Sequence, residues 1–225
     1  MAVIPIFAYG AYFSAALLMA IAVYVIKTKG FDWTTLSLAS FTFFKALFLI
    51  SQTSYHYVGS LFLATFLSHL EMASIFMYSA SILMFPLNFR KAGVEIVLTV
   101  LAIGVVFAFV PFGFEIKESI ELTETGYVTK ISEWFFYLMQ SFMITAYSAG
   151  AGVFLWMSTQ TRSPETEKKL ITIALIALSD LAVSSGMYFY TGLVGHNAYV
   201  SIIQGISFPV IFGLLLYVFL KQEKS

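Results

Sequence analysis

Three ionisable side chains stand inside long apolar segments of this sequence: Lys45, Glu71 and Asp180. A lysine and two carboxylates can bind and release protons, form ion pairs or hold a cation. Each charge that faces lipid at the centre of a bilayer costs roughly 2.5–3.5 kcal/mol on insertion scales. We therefore expect the three side chains to lie at a similar depth, to point away from lipid and to meet.

Polar neighbours at helical spacing support inward-facing positions for these charges. Residues three, four or seven positions apart share one face of a helix, and polar side chains occupy such positions around each charge. Further polar residues of the fifth and seventh predicted helices, including Thr145, are candidates for the same interior. The predicted buried polar cluster comprises Lys45, Glu71, Asp180, Ser68, Ser74, Tyr78, Ser184, Gln140 and Gln204.

Two interpretations of this cluster stay open at the level of sequence. In the first, a buried lysine–carboxylate pair fixes how the helices pack, and the second carboxylate is protonated or bonded to serine. In the second, the cluster is a polar pocket or a proton-responsive switch. One cation against two carboxylates leaves a proton to be shared or a vacancy for an external cation.

The elements that carry these residues are membrane-spanning helices. Of the 225 residues, 60% are apolar and 11% are charged, and the mean hydropathy is +0.88. At ~20 apolar residues per crossing, the chain has room for about seven crossings in one all-α domain, residues 1–225. The first ten residues lack the basic residues of a secretory signal, which favours a retained first helix. The predicted helices are 4–27, 33–53, 58–86, 92–113, 132–158, 168–192 and 197–220.

Basic residues predict the orientation of this seven-transmembrane-helix bundle. Short cytoplasmic connectors accumulate lysine and arginine. One set of connectors holds only Lys117 and Lys130, so we expect it outside, together with the N-terminus. The opposite set, with the C-terminus, is then cytoplasmic and holds Lys27, Lys29, Arg90, Lys91, Arg162, Lys168, Lys169, Lys221 and Lys224.

The one long external connector, between the fourth and fifth helices, predicts a short β-hairpin at 115–131. Alternating polar and apolar residues flank a TETG turn, and a β-favouring YVTKI run follows. We expect the segment near Ile120 and Leu122 to pair with that near Val128 and Thr129. The hairpin is either a solvated cap or a lid that faces a ligand.

The sequence carries no motif for enzyme chemistry. It has no cysteine, and its three histidines lack metal-ligand spacing, so we predict no catalytic residue, cofactor or metal site. Its zero net charge argues against nucleic acid as a partner. The small residues of AYSAGAG, 146–152, favour close approach of another helix, of a partner protein or of a second copy. Pro209 is expected to kink the seventh helix.

Two resemblances bear on function. The helix count resembles that of microbial rhodopsins, but that family binds retinal through a lysine of its seventh helix, and the range 197–220 has none. The chain also resembles the seven-helix sensor modules of prokaryotic histidine kinases, through Gly126 and Tyr127, the aromatic run WFFYLMQSF and the charged connector TRSPETEKKL. This sequence ends at LKQEKS, so the resemblance implies either signalling through a separate partner or a job other than signalling.

Three functions remain as hypotheses for a multi-pass protein of the plasma membrane. The first is a sensor or signalling component that acts through a partner protein. The second is a transporter or channel for a proton, a cation or a small polar solute. The third is a structural subunit of a membrane complex. An intramembrane enzyme is the least favoured, because paired carboxylates need a geometry that a sequence cannot establish.

Overall fold

The computed structural model describes residues 6–114, 117–123 and 126–194, and seven residues further on: 207, 208, 210, 211, 213, 214 and 217. In these parts the chain is all-α apart from one pair of strands. The elements are α1 (Ile6–Lys29), α2 (Trp33–Ser54), α3 (Leu61–Phe89), α4 (Val94–Gly113), β1 (Lys117–Thr123), β2 (Gly126–Ile131), α5 (Glu133–Gln160) and α6 (Pro164–Val194).

Six of the described helices, α1 to α6, are long and apolar enough to cross a membrane, and the chain is a membrane protein with multiple spans. The seventh predicted helix, 197–220, falls mostly outside the described residues. The seven residues described within it are helical. Seven crossings therefore remain a prediction, and the expected kink at Pro209 lies outside the described residues.

The central helix of the described bundle is α3, which packs against α2, α4 and α5. Its interior face joins aromatic rings of neighbouring helices, for example Tyr78 with Phe41 of α2 and Tyr147 of α5. At the periphery, α4 is apolar on all sides and exposes residues such as Phe109. A helix that is apolar all round is suited to lipid on its outer face.

Small residues set the closest helix contacts. A Cβ atom added at Gly104 of α4 would lie 2.5 Å from the Cβ of Ala80, and one at Gly150 of α5 would lie 3.1 Å from the backbone oxygen of Ile82. Both glycines let a neighbouring helix approach α3. Nothing lies within 4 Å of a Cβ added at Gly152, so only part of the 146–152 segment serves this close contact.

Capping residues explain where the helix ends differ from the predicted bounds. Helix α6 begins at Pro164, four residues before the predicted start, because Ser163 accepts from Thr166 N–H at 3.4 Å and proline suits a first helical position. Helix α3 begins at Leu61, three residues after the predicted start. There Ser60 Oγ accepts from Leu63 N–H at 3.2 Å and caps the helix.

Strands β1 and β2 lie within the segment 115–131 and form an antiparallel pair. Ile120 lies opposite Thr129 and Leu122 opposite Tyr127, with an irregularity between Lys117 and Ser119. We call the end of the bundle that carries this pair the hairpin side.

The opposite end, which we call the basic face, joins the short connectors between helices. Asn88 Nδ2 donates to the Trp33 carbonyl at 3.1 Å, and the Arg90 guanidinium lies 4.1 Å from the centre of the Trp156 ring. These contacts bring the connectors after α1 and α3 and the end of α5 together. The basic residues described near this face are Lys27, Lys29, Arg90, Lys91, Arg162, Lys168 and Lys169.

Candidate functional site

A buried ion pair joins α2 to α6. Lys45 Nζ donates to Asp180 Oδ2 at 3.1 Å and to Ser184 Oγ at 2.8 Å. The two charged side chains are 0% and 1% exposed. Because Ser184 lies one helical turn after Asp180, a single face of α6 supplies both groups that bind the ammonium. Two of the three predicted charges therefore meet inside the bundle.

Aromatic side chains enclose this pair. The hydroxyl of Tyr147, on α5, donates to Asp180 Oδ2. Lys45 Nζ lies 4.2 Å from the ring centres of Tyr78 and Phe208, close enough for cation–π attraction. The Tyr78 hydroxyl lies 3.6 Å from Met143 Sδ and also interacts with the Ser184 side chain.

The second carboxylate oxygen of Asp180, Oδ1, is a buried acceptor to which no hydrogen bond is made by the described residues. A buried polar atom without a partner is costly, which is why such atoms in native proteins call for an explanation. Asp180 thus retains an unused position for a proton or a donor, although Lys45 and Tyr147 already bind its other oxygen.

Glu71 does not belong to this pair, so the expectation that all three charges meet is wrong for this residue. Its Oε1 accepts from the Tyr188 hydroxyl at 3.2 Å. Tyr188 follows Asp180 by eight residues on α6, a distance of ~12 Å along the helix axis toward the hairpin side.

The difference in depth arises from the helix ends. The late start of α3 at Leu61 places Glu71 nearer the hairpin side by about 4.5 Å. Helix α3 also has 29 residues against 22 in α2, so residues counted from the ends of these helices do not share one depth.

The remaining predicted cluster residues are distributed over several layers. Ser74 is buried and donates to its own helix, at the Leu70 carbonyl, 2.7 Å away. Gln140 Oε1 accepts from Ser185 Oγ at 2.8 Å, and its Nε2 is buried with no partner in the described part of the chain. Thr145 is exposed on α5 and does not line the interior. Gln204 lies outside the described residues.

Contacts at three places bond the described strands to the bundle, and we call them the hairpin anchors. Lys117 Nζ donates to the Thr65 carbonyl at 3.0 Å. Ser68 Oγ, a predicted cluster residue, donates to Thr129 Oγ1 at 3.4 Å. The third anchor is a backbone bond from Tyr127 N–H to the His56 carbonyl, 3.2 Å, with His56 Nδ1 2.6 Å from the Tyr127 carbonyl.

Lys117 is the charged member of these anchors. Burial lowers its pKa to about 8, and the carboxylate of Glu71 acts in the opposite direction. The Lys117 side chain lies at the boundary between the hairpin and α3. It therefore gains and loses its proton near pH 8.

Sequence reasoning missed two tyrosines that bind the carboxylates. Tyr147 follows Gln140 by seven residues, and Tyr188 follows Asp180 by eight and Ser184 by four, so both lie on faces already marked as polar. Tyrosine counts as apolar in a hydropathy profile, yet its hydroxyl needs a partner when it is buried. Helical spacing from each predicted polar residue is the signal that identifies both.

The described side chains offer no metal site, since no three of His, Asp and Glu come together within residues 6–114, 117–123 and 126–194. No protein-family model matches the chain, and no curated protein is significantly similar to it. The features that bear on function are two separate buried carboxylates, each bonded by a tyrosine, on helices that connect the hairpin side to the basic face.

Proposed function

We propose that this chain is a membrane sensor or signalling component that acts through a partner protein. The observation that supports this function is a series of polar contacts that α3 and α6 link from the hairpin to the buried pair. Two of the anchors bind the hairpin to α3, Glu71 of α3 is bonded to α6 through Tyr188, and α6 is paired with α2 through Asp180 and Lys45. A displacement of the hairpin thus acts on the helices that hold the buried ion pair.

Buried polar contacts suit a switch because they are discrete. An ion pair in a low-dielectric interior is either formed or broken, since intermediate separations leave uncompensated charge. A bundle with two packings then converts a local change at one end into a rearrangement at the other. Such a device needs no nucleophile, metal or cofactor.

The proposed arrangement places the hairpin outside the cell and the basic face in the cytoplasm, with seven crossings of the plasma membrane. Among the described residues, Lys117 and Lys130 are the basic residues of the hairpin side, against seven near the basic face, and lysine and arginine favour the cytoplasm. The partner would bind at the basic face or, as a second copy, through small-residue faces of the helices.

A cross-link between hairpin and bundle tests this function, and the absence of native cysteine makes it clean. Ser68→Cys with Thr129→Cys places two thiols where the hydroxyl oxygens now lie 3.4 Å apart. Hydrogen–deuterium exchange is then measured at the connectors of the basic face, residues 28–34 and 87–93, in the oxidised and reduced protein. We expect oxidation to change exchange there and reduction to reverse the change.

The matched control is Ile120→Cys with Thr129→Cys, which joins opposite residues within the hairpin and leaves it unlinked to the bundle. We expect that pair to leave exchange at the basic face unchanged. Equal exchange at the basic face in the oxidised and reduced Ser68/Thr129 pair would reject a sensor that works through the hairpin.

One observation favours transport of a proton or cation as a second candidate. Asp180 Oδ1 is buried without a donor from the described residues, and an ionisable group of this kind within a membrane is typical of ion pathways. Proteoliposomes loaded with a pH-sensitive dye distinguish the candidates. A proton flux that Asp180→Asn abolishes would favour transport, and no flux would leave the sensor as the better account.

A further inference from the structure

Glu71 is a buried carboxylate whose partners are few. Its side chain is 7% exposed, it lies in no ion pair with a described residue, and its hydrogen bond comes from Tyr188 of α6. The cation that acts on it is Lys117 of β1. Two neutral hydroxyls also face it, Tyr55 at the end of α2 and Tyr78 of α3 itself.

Among the described residues, α4 and α5 add no charge near Glu71. Glu95, the carboxylate of α4, lies at the basic face. Helix α4 also contributes Phe112, whose ring centre lies 5.4 Å from that of His69. Of the ionisable residues of α5, Tyr147 is bound to Asp180, and Glu133 and Tyr137 are exposed. Among the residues that the structure describes, Lys117 is therefore the charge that balances an ionised Glu71.

Glu71 lies nearer the hairpin side than the Lys45–Asp180 pair does. It follows Ser68 by one helical turn, and Ser68 contacts Thr129 of the hairpin. The Lys45–Asp180 pair lies further inside, ~12 Å along α6 from the level of Tyr188. A proton that reaches Glu71 therefore arrives from the hairpin side before it reaches the buried pair.

We infer that Glu71 is a buried proton-binding site that exchanges protons with the hairpin side, and that the stimulus of this sensor is the pH on that side. The inference rests on the proposed sensor function. The step is the transfer of a proton from hydronium to the Glu71 carboxylate, which leaves water and a neutral carboxylic acid. The bond from Tyr188 is compatible with both forms, because a hydroxyl donates to a carboxylate and accepts from a carboxylic acid.

The proton changes the force on the hairpin. Ionised Glu71 attracts the Lys117 ammonium, which anchors β1 to the Thr65 carbonyl. Neutral Glu71 exerts no such attraction. The free-energy cost of keeping the Lys117 ammonium half-buried is then no longer offset. Binding of a proton at Glu71 thereby loosens one hairpin anchor, and deprotonation restores it.

The test uses the full chain in proteoliposomes, with an environment-sensitive fluorophore on a single cysteine at Lys130→Cys, an exposed hairpin position. The pH on the two sides is set separately. We expect a fluorescence transition that follows the pH of the hairpin side alone. Infrared spectra of the same samples should show a protonated-carboxyl band that grows as that pH falls.

Variants identify the group that binds the proton. Glu71→Gln should abolish both the fluorescence transition and the titrating band, whereas Glu95→Gln, an exposed carboxylate at the basic face, should preserve both. Lys117→Met should move the transition to higher pH because the stabilising cation is gone, and Lys117→Arg should leave it nearly in place.

A transition that persists in Glu71→Gln, that follows the pH of the basic face, or that is absent from the native chain would overturn the inference. Each of these outcomes is distinct from failure of the proposed function. If the Ser68/Thr129 cross-link still changes the basic face while pH does not act through Glu71, the sensor stands and its stimulus is not the proton.

Discussion

Lys45 and Asp180 lie 135 positions apart in the chain, and their charged atoms are 3.1 Å apart inside the bundle. The pair is unequal, because Asp180 is also bonded by Tyr147, whereas the other groups around the ammonium, among the described residues, are Ser184 and two aromatic rings. This inequality, together with the freedom of a carboxylate to take up a proton, governs how the two single substitutions should differ.

We predict that Asp180→Ala destabilises the protein by about 3–5 kcal/mol, because it leaves a buried ammonium without a counter-charge. Lys45→Ala should cost less, since Asp180 can bind a proton and keep its bond from Tyr147. Unfolding in mixed micelles measures both. The double variant should reveal a strong coupling, while Glu71→Ala combined with Lys45→Ala should be additive, because Glu71 is bonded to another residue. Additivity of the Lys45 and Asp180 substitutions would contradict the pair.

Removal of one hydroxyl tests the role of Tyr147. Tyr147→Phe deletes the donor to Asp180 and should cost about 1.5–3 kcal/mol, the range for a bond to a charged group. Tyr78→Phe is the matched control, since its hydroxyl meets Met143 and Ser184 rather than Asp180, and its ring over Lys45 is retained. Equal unfolding free energies for the two variants would show that the Tyr147 bond contributes nothing specific.

Helix contact through Gly104 gives a prediction about packing. A Cβ there would lie 2.5 Å from the Cβ of Ala80, so Gly104→Ala should destabilise the protein by about 1–3 kcal/mol. Ala80→Gly removes the clashing atom and should recover part of the loss when the two are combined. Gly152→Ala, with open space around it, should be close to neutral. A neutral Gly104→Ala would mean that α3 and α4 do not pack this closely.

Orientation is tested by accessibility labelling of single cysteines, which a chain without native cysteine allows. We predict that a membrane-impermeant thiol reagent labels a cysteine at position 126 from outside intact cells. A cysteine at position 164 should react only after the membrane is permeabilised. The reverse pattern would mean that the distribution of lysine and arginine does not set the orientation of this protein.

Part of this architecture could be predicted from the sequence because lipid imposes strong constraints. A charge in an apolar segment must find a partner, so Lys45 and Asp180 were identifiable as inward-facing residues. Ser184 could be identified in the same way, because it shares a helical face with Asp180. Alternation similarly predicted strands within 115–131, where β1 and β2 lie, whereas the predicted TETG turn lies partly outside the described residues.

The other features of the site depend on three-dimensional geometry, which the periodicity of polar and apolar residues does not determine. Glu71 was assigned to the wrong layer because helix starts and lengths differ, and depth counted from a predicted end carries that error. Tyr147 and Tyr188 were overlooked because their rings look apolar in composition. Gly104 was missed because a lone glycine in an apolar helix does not reveal which neighbour approaches it.

The central claim is that the buried ion pair couples the hairpin side to the basic face. Lys45→Met combined with Asp180→Leu replaces the pair with apolar side chains of similar size, a change that protein interiors often tolerate when both charges go together. Into this background we place the Ser68→Cys and Thr129→Cys cross-link and measure hydrogen–deuterium exchange at residues 28–34 and 87–93, with oxidation and reduction. We predict a folded protein in which the cross-link no longer changes hydrogen–deuterium exchange at the basic face. A response as large as that of the chain with Lys45 and Asp180 intact would contradict it.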